Sequence, residues 1–166
     1  TAISTGLTNG TSQSFNIITD GGTSGIISTS TSWDVGSSPY TVTGHVKVAS
    51  GATLTIDEGV TVKFDSGKVL EVEGTLVARG TSGNGITFTS SAASPAAGDW
   101  GYIEFKDSST DASFDGNGDY QSGSILEYVT VQYGGSTDEA QILVDAASPF
   151  INNSTIEYSD QRGIRI

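Results

Sequence analysis

Two glutamates occupy equivalent positions in neighbouring repeats of the sequence, and such a pair could carry acid–base chemistry. Glu71 in VLEV and Glu104 in YIEF each stand between two apolar residues. If these strands stack, the carboxyl groups lie about one strand spacing apart, near the ~5–5.5 Å between the two carboxyl groups of a retaining glycosidase. Lys47 stands opposite Glu71, and Lys106 lies in the adjoining column, which is typical of cross-strand charge pairs. Structural pairing is the favoured interpretation, and catalysis by Glu71 and Glu104 is the alternative.

An acidic insertion, DSSTDASFDGNGDYQSGS (107–124), provides oxygen ligands of the kind that calcium prefers. The segment DGNGD resembles the start of a D-x-[DN]-x-[DN]-G calcium loop. It departs from that pattern because Tyr120 replaces the invariant glycine and Leu126 stands where the loop needs its glutamate. The candidate Ca²⁺ ligands are Asp107, Asp111, Asp115, Asn117 and Asp119. The alternative is a solvated acidic turn without a metal ion.

Aromatic residues cluster around the central insertions, where exposed rings could stack on sugar rings. The candidate ligand-binding residues are Trp100, Tyr102, Tyr120 and Tyr133. Strand alternation supports exposure of Tyr102, because Ile103 and Phe105 are expected to face inward. Packing of these rings beneath folded-over loops is the alternative. We do not expect catalysis by the single histidine, His45, which stands at the entry to a strand.

The composition favours a β-rich, acidic domain. The 166 residues include 22 glycines, only 16 % are charged, and the net charge is −12. Such a surface repels phosphate backbones and anionic lipids, so we expect no nucleic-acid partner. There is no cysteine for a disulfide or a thiolate metal site, and no apolar run is long enough for membrane insertion.

Short apolar strands recur along the chain from about residue 42. The first strand of each repeat carries its apolar pair at Val46/Val48, Leu70/Val72, Ile103/Phe105, Ile142/Val144 and Ile164/Ile166. The third strand carries its pair at Val62/Phe64, Ile86/Phe88, Val131/Tyr133 and Ile156/Tyr158. The repeat is about 22–25 residues long, with insertions near 91–100, 106–123 and 134–140. A period of this length with three strands per repeat predicts a solenoid whose inward side chains form continuous apolar columns.

Three segments resemble a known family. SPFINNSTIEYSDQRGIRI (148–166), VTGHVKVASGATLTIDEGVTVKFDSGKVLEVEGTLVARG (42–80) and GDWGYIEF (98–105) are similar to pectin-lyase-like right-handed parallel β-helix repeats of bacterial secreted and cell-surface proteins. The resemblance implies the fold, but the superfamily includes lyases, hydrolases, adhesins and stalks. Its catalytic members use aspartate clusters with nearby basic residues. Here the basic residues are scattered, and only Arg162 and Arg165 are close in sequence.

These observations predict an all-β, right-handed parallel β-helix of about four three-strand rungs. We expect a linker or flexible extension over 1–20, an N-terminal cap over 21–40 and rungs over 41–166, as a piece of a longer protein. The exposed last rung predicts end-to-end self-association.

The predicted function is a non-catalytic, extracellular bacterial module that acts as a stalk or binds polysaccharide or cell-surface glycan, with possible stabilisation by calcium. One alternative is a fragment of a polysaccharide lyase or glycoside hydrolase. Another is an ice- or surface-binding solenoid that uses threonine arrays, for which the sequence offers Thr53, Thr55, Thr61, Thr75, Thr87 and Thr89.

Overall fold

The computed structural model describes residues 17–19, 22–136 and 140–166. The predicted linker over 1–20 lies outside the described residues except for its last strand, β1 (Ile17–Thr19). Within the described ranges, no helix is long and apolar enough to cross a membrane.

Three columns of short parallel strands wind into a β-helix. The first column contains β2 (Gly22–Ile27), the second half of β4 (Tyr40–Val48), β7 (Leu70–Val72), β10 (Ile103–Phe105), β15 (Ala140–Val144) and β18 (Arg162–Arg165). The second column contains β3 (Thr31–Trp33), β5 (Thr53–Ile56), β8 (Thr75–Arg79), β13 (Ile125–Glu127) and β16 (Phe150–Asn152). The third column contains the first half of β4, β6 (Thr61–Phe64), β9 (Ile86–Ser90), β14 (Val129–Gln132) and β17 (Thr155–Glu157). Because β4 is long enough to turn a corner, it joins the first and third columns into one sheet.

The predicted register of the first column is confirmed. Val46 pairs with Leu70, Leu70 with Ile103, and Ile103 with Ile142, which in turn pairs with Ile164. The first four of these side chains are almost completely buried. Stacked inward side chains one strand spacing apart thus form the continuous apolar column that the repeat predicted.

The predicted register of the third column is wrong at one strand. Phe88, and not Ile86, pairs with Val62 on one side and with Val131 on the other. The strand is therefore shifted by two residues, and Ser90 occupies the inward position beside Phe64. Ser90 is buried, and its hydroxyl donates a hydrogen bond of 2.7 Å to Asp99 Oδ2, which satisfies the polar group inside the helix.

The interval 21–40, which the sequence suggested as a cap, contributes strands to the columns. β2 and β3 pair in parallel with β4 and β5. β1 then pairs antiparallel with β2 at the N-terminal edge of the first column. Trp33 is buried and stacks on Tyr40, with ring centroids 4.9 Å apart, at the first turn of the core. The sequence prediction of about four rungs counted from residue 41, so it left out the turn that β2 and β3 form.

The backbone approaches itself closely where the chain turns from the first to the second column. Gly74 has no room for a side chain, because an added Cβ would overlap the carbonyl oxygens of Ala49 and Ala52. Its amide donates a hydrogen bond of 3.0 Å to the carbonyl of Val48 in the preceding turn. Only glycine allows this contact between consecutive turns.

The insertion at 106–124 folds as a small hairpin over the outside of the second column. The hairpin strands are β11 (Ser113–Phe114) and β12 (Tyr120–Ser122), which pair antiparallel. Leu126 belongs to the core of the helix. Because successive side chains of a strand point to opposite faces, its neighbour Ile125 faces the outer side. Ile125 is nevertheless fully buried, because the hairpin lies over it. Ile125 pairs with Phe150, and the rings of Phe114 and Tyr120 pack against Phe150. The hairpin thus covers a second, smaller apolar patch.

Candidate functional site

The two candidate catalytic glutamates lie side by side on the first column, and both form ion pairs. Glu104 and Glu71 occupy paired positions on β10 and β7. Lys47 Nζ lies 2.9 Å from Glu71 Oε1 and 2.5 Å from Glu73 Oε1. Lys106 Nζ lies 2.6 Å from Glu104 Oε1, on the same strand face. The cross-strand pairing of Lys47 with Glu71 is present as predicted, whereas the cation beside Glu104 is Lys106, the residue that directly follows β10.

Both lysines are held in their charged form. Hydrogen bonds to Glu73 first and Glu71 second raise the pKa of Lys47. The hydrogen bond to Glu104 raises the pKa of Lys106. A general acid must present a proton to its substrate, but here the carboxylates of Glu71 and Glu104 accept hydrogen bonds from lysine ammonium groups that keep their protons. This arrangement supports pairing over acid–base chemistry.

The candidate calcium ligands are distributed along the hairpin insertion and engage the backbone. Oδ1 of Asp115 accepts hydrogen bonds from the amides of Asn117 (2.8 Å) and Asp119 (3.0 Å). These two backbone donors, Asp119 first, lower the pKa of Asp115. Asp111 Oδ1 accepts a bond of 2.8 Å from the amide of Ser148, while Asp107 is exposed before the hairpin.

In the part of the chain that the structure describes, no three side chains of Asp, Glu, His or Cys come together as a metal-binding group. Calcium binding by this insertion stays a prediction.

The expected exposure of Trp100 is wrong. The side chain is 0 % exposed and stacks on Phe64, with ring centroids 4.2 Å apart. Its Nε1 donates a hydrogen bond of 2.8 Å to the carbonyl of Gln132. Trp100 therefore fills the core between the third and first columns, since the insertion that carries it folds back into the helix and leaves no ring face for a sugar.

The three candidate tyrosines lie in different surroundings. Tyr120 is partly buried: its ring packs on Phe150, and its hydroxyl donates to the carbonyl of Gly123 at 2.7 Å. Tyr133 stacks on Tyr158, with centroids 5.1 Å apart, and also packs against the core. Tyr102 is half-buried just before β10. The structure therefore does not bring Trp100, Tyr102, Tyr120 and Tyr133 together as one aromatic platform.

The outer face of the third column carries a threonine column that the sequence only partly revealed. Thr61, Thr87, Thr130 and Thr155 are paired in register on successive strands. Thr130 and Thr155 were missed because the insertions obscure their equivalence. Elsewhere the threonine array is interrupted, since Thr89 pairs with a lysine and Thr55 with a valine. Ice or surface binding stays a prediction.

A cleft of about 510 Å³ opens on the outer face of the second column, beside the hairpin. Its lining combines apolar and polar residues: Val35, Thr55, Ile56, Asp57, Glu58, Gly59, Val77, Arg79 and Asn84. Val35 belongs to a short 3₁₀ helix (Val35–Ser37) and is 60 % exposed. Sequence reasoning missed this site. The sequence signal that could have indicated it is that Asp57 and Arg79 each follow the last inward apolar residue of equivalent strands, Ile56 and Ala78.

The charges of the cleft are unevenly paired. Ile56 pairs with Ala78, so Asp57 and Arg79 follow at neighbouring strand ends. Arg79 lines the cleft, but its guanidinium is paired with Glu127, its partner on β13. Its Nε and Nη2 each lie 2.9 Å from Glu127 Oε2, and the guanidinium lies 5.2 Å from the centre of the Tyr120 ring. Within the described ranges, the exposed carboxylates of Asp57 and Glu58 have no side-chain hydrogen bond or ion pair.

Comparison with known proteins agrees with this architecture. A family model described as a pectate-lyase-like β-helix domain matches residues 25–159. No curated protein and no solved structure matches the chain. The family match covers most of the turns described above, including both glutamates and the hairpin insertion. The chain belongs to the pectate-lyase-like β-helix domain family.

Proposed function

We propose that this chain is a non-catalytic structural module of an extracellular bacterial protein, where it serves as a rigid stalk. The observation that carries the proposal is the ion pairing of the first column. Glu71 and Glu104, the best-placed carboxylates for glycosidic chemistry, accept hydrogen bonds from Lys47 and Lys106. Carboxylates that are already paired with neighbouring lysines support a structural role better than a reactive one.

The interior of the helix supports the same role. Each inner strand is hydrogen-bonded to the turns before and after it, as Leu70–Val72 is to Val46–Val48 and Ile103–Phe105. The inward side chains of the first column are buried from Val46 to Val144. Bending the module would separate paired strands and expose this core, so the turns are expected to move as one body.

An assay for polysaccharide cleavage tests the proposal against the enzyme alternative. The protein is incubated with a panel of soluble and insoluble polysaccharides, with and without calcium, and the supernatant is assayed for new reducing ends and unsaturated products. We expect none. Product release that disappears in a Glu104→Gln variant would establish the lyase or glycosidase alternative instead.

Polysaccharide binding without cleavage is a second candidate function, favoured by one exposed aromatic pair. Tyr158 is 58 % exposed and stacks on Tyr133, so its outer face is available for a sugar ring. A pull-down on the insoluble members of the same panel measures retention of the protein on each polysaccharide. Retention that a Tyr158→Ala variant loses supports this function, and equal retention of both proteins contradicts it.

End-to-end self-association through the last turn is also proposed. Ile164 and Ile166 are 38 % and 97 % exposed, and β18 pairs with β15 alone among the described strands. An exposed strand edge with apolar side chains favours pairing with another chain. Sedimentation velocity over a hundredfold concentration range should show larger species for the parent and fewer for Ile164→Lys. A monomer at all concentrations contradicts the proposal.

A further inference from the structure

We propose that the cleft beside the hairpin binds an alkylammonium group, as carried by a lysine side chain of a partner peptide. This inference goes beyond the stalk function and does not depend on it. It rests on the balance of charge in the cleft, on the apolar residues that adjoin the charges, and on the space that they enclose.

The two carboxylates that line the cleft, Asp57 and Glu58, outnumber its one cation, Arg79, which is already paired with Glu127. Arg79, which could have neutralised Asp57, is instead bound to Glu127 at 2.9 Å and covered on one face by Tyr120. Glu127 also accepts a hydrogen bond of 3.0 Å from Asn152, which fixes its carboxylate away from the cleft. Two carboxylates, those of Asp57 and Glu58, are therefore left for a cation from another molecule.

Several other acidic residues of the helix are used by the fold. Glu71, Glu73 and Glu104 pair with lysines on the first column. Asp115 accepts backbone hydrogen bonds within its own turn. Asp57 and Glu58 differ because they are exposed, line a cleft, and have no such role in the described residues.

The apolar part of the lining suits the stem of a lysine. Val35 is 60 % exposed and Val77 is half-buried, and both line the same cleft as the two carboxylates. A lysine side chain can lay its methylene groups along apolar surface while its ammonium reaches a carboxylate. The cleft volume of about 510 Å³ also leaves room for the peptide backbone that carries the side chain.

An NMR titration of the full chain tests the proposal. The probe is an acetylated, amidated pentapeptide with two lysines. Its matched control has norleucine in place of both lysines, which keeps the stem and removes the charge. We expect the lysine peptide to shift the amide signals of residues 55–59, 77–79 and 84, and the norleucine peptide to leave them unchanged. Equal shifts with both peptides, or lysine-peptide shifts spread over the acidic surface, would overturn the proposal.

Paired variants separate a specific site from general attraction to an acidic protein. Asp57→Asn with Glu58→Gln should weaken lysine-peptide binding about tenfold. Asp145→Asn with Asp160→Asn removes the same charge from exposed carboxylates outside the cleft lining and should change the affinity by less than about twofold. If both double variants weaken binding equally, the proposal fails.

A small amine distinguishes the source of the ammonium group. Tighter binding of the peptide than of spermidine assigns the site to a peptide partner. If spermidine binds as tightly as the peptide or more tightly, the partner-peptide assignment is overturned.

Discussion

Replacing Trp100 with alanine should destabilise the protein strongly, because its ring is a core residue. The side chain is 0 % exposed, stacks on Phe64 and donates a hydrogen bond to the carbonyl of Gln132. Truncating a buried tryptophan costs about 3–5 kcal/mol, and the loss of a donor to the partly buried carbonyl of Gln132 adds to that cost. With a urea m-value of about 2 kcal/mol/M, a loss of about 4 kcal/mol lowers the unfolding midpoint by about 2 M.

Urea denaturation followed by circular dichroism measures this change. Phe114→Ala is the control, because Phe114 is 47 % exposed on the hairpin and its loss should cost about 1 kcal/mol or less. Trp100→Phe keeps an aromatic ring against Phe64, so its unfolding midpoint should lie between those of the parent and Trp100→Ala. This variant still provides a measurement if Trp100→Ala does not fold. The reasoning is refuted if Trp100→Ala costs no more than Phe114→Ala.

Three further predictions concern turns and charges. Gly74→Ala should cost about 1–3 kcal/mol or more of unfolding free energy, because its Cβ would meet backbone oxygens. Gly83→Ala is the control and should be nearly neutral, because the space around Gly83 is open. Equal urea midpoints for the two variants would contradict the close turn at Gly74. Lys47→Met should cost about 0.2–1 kcal/mol for each ion pair lost. Because the pKa of Lys47 is raised on folding, this stabilisation is complete below the unfolded value of about 10.4 and is lost as pH rises through the folded value. The Tm difference from the parent should therefore shrink as pH rises above the unfolded value, and a constant difference would indicate lost packing instead. Asp115→Ala should speed amide exchange at Asn117. Because the pKa of Asp115 is lowered on folding, the protection of this amide in the parent should be present above about pH 3.9 and fall as pH drops through the folded value. If the insertion binds calcium, CaCl₂ should raise the Tm of the parent and not that of Asp115→Ala.

The sequence predicted the fold through side chains whose inward positions are regular. The first column carries its apolar residues at equivalent positions, so Val46, Leu70 and Ile103 could be aligned from the repeat alone. The third column could not be fully aligned because Ser90 takes an inward position, and a polar residue there hides the register. A hydrogen bond to Asp99 from a distant part of the loop makes that burial possible.

The candidate sites were harder to predict because they depend on how the insertions fold. Nothing in the loop around Trp100 shows that its ring turns inward, since no repeat marks the position. The ion pair of Lys47 with Glu71 was predictable from register alone. The choice of Arg79 between Asp57 and Glu127 was harder to predict, because the hairpin insertion hides that Glu127 is the strand partner of Arg79 and that Tyr120 packs on its guanidinium.

The register of the third column is the most direct test of this account, because the shift of β9 separates the structure from the sequence alignment. In the structure Thr87 pairs with Thr130, so their methyl groups lie about 5 Å apart. A three-dimensional NOESY experiment on a sample with labelled threonine methyl groups should show cross-peaks that link Thr61, Thr87, Thr130 and Thr155 in that order. Cross-peaks from Thr87 to the side chain of Gln132, with none to Thr130, would contradict the parallel register described for this helix.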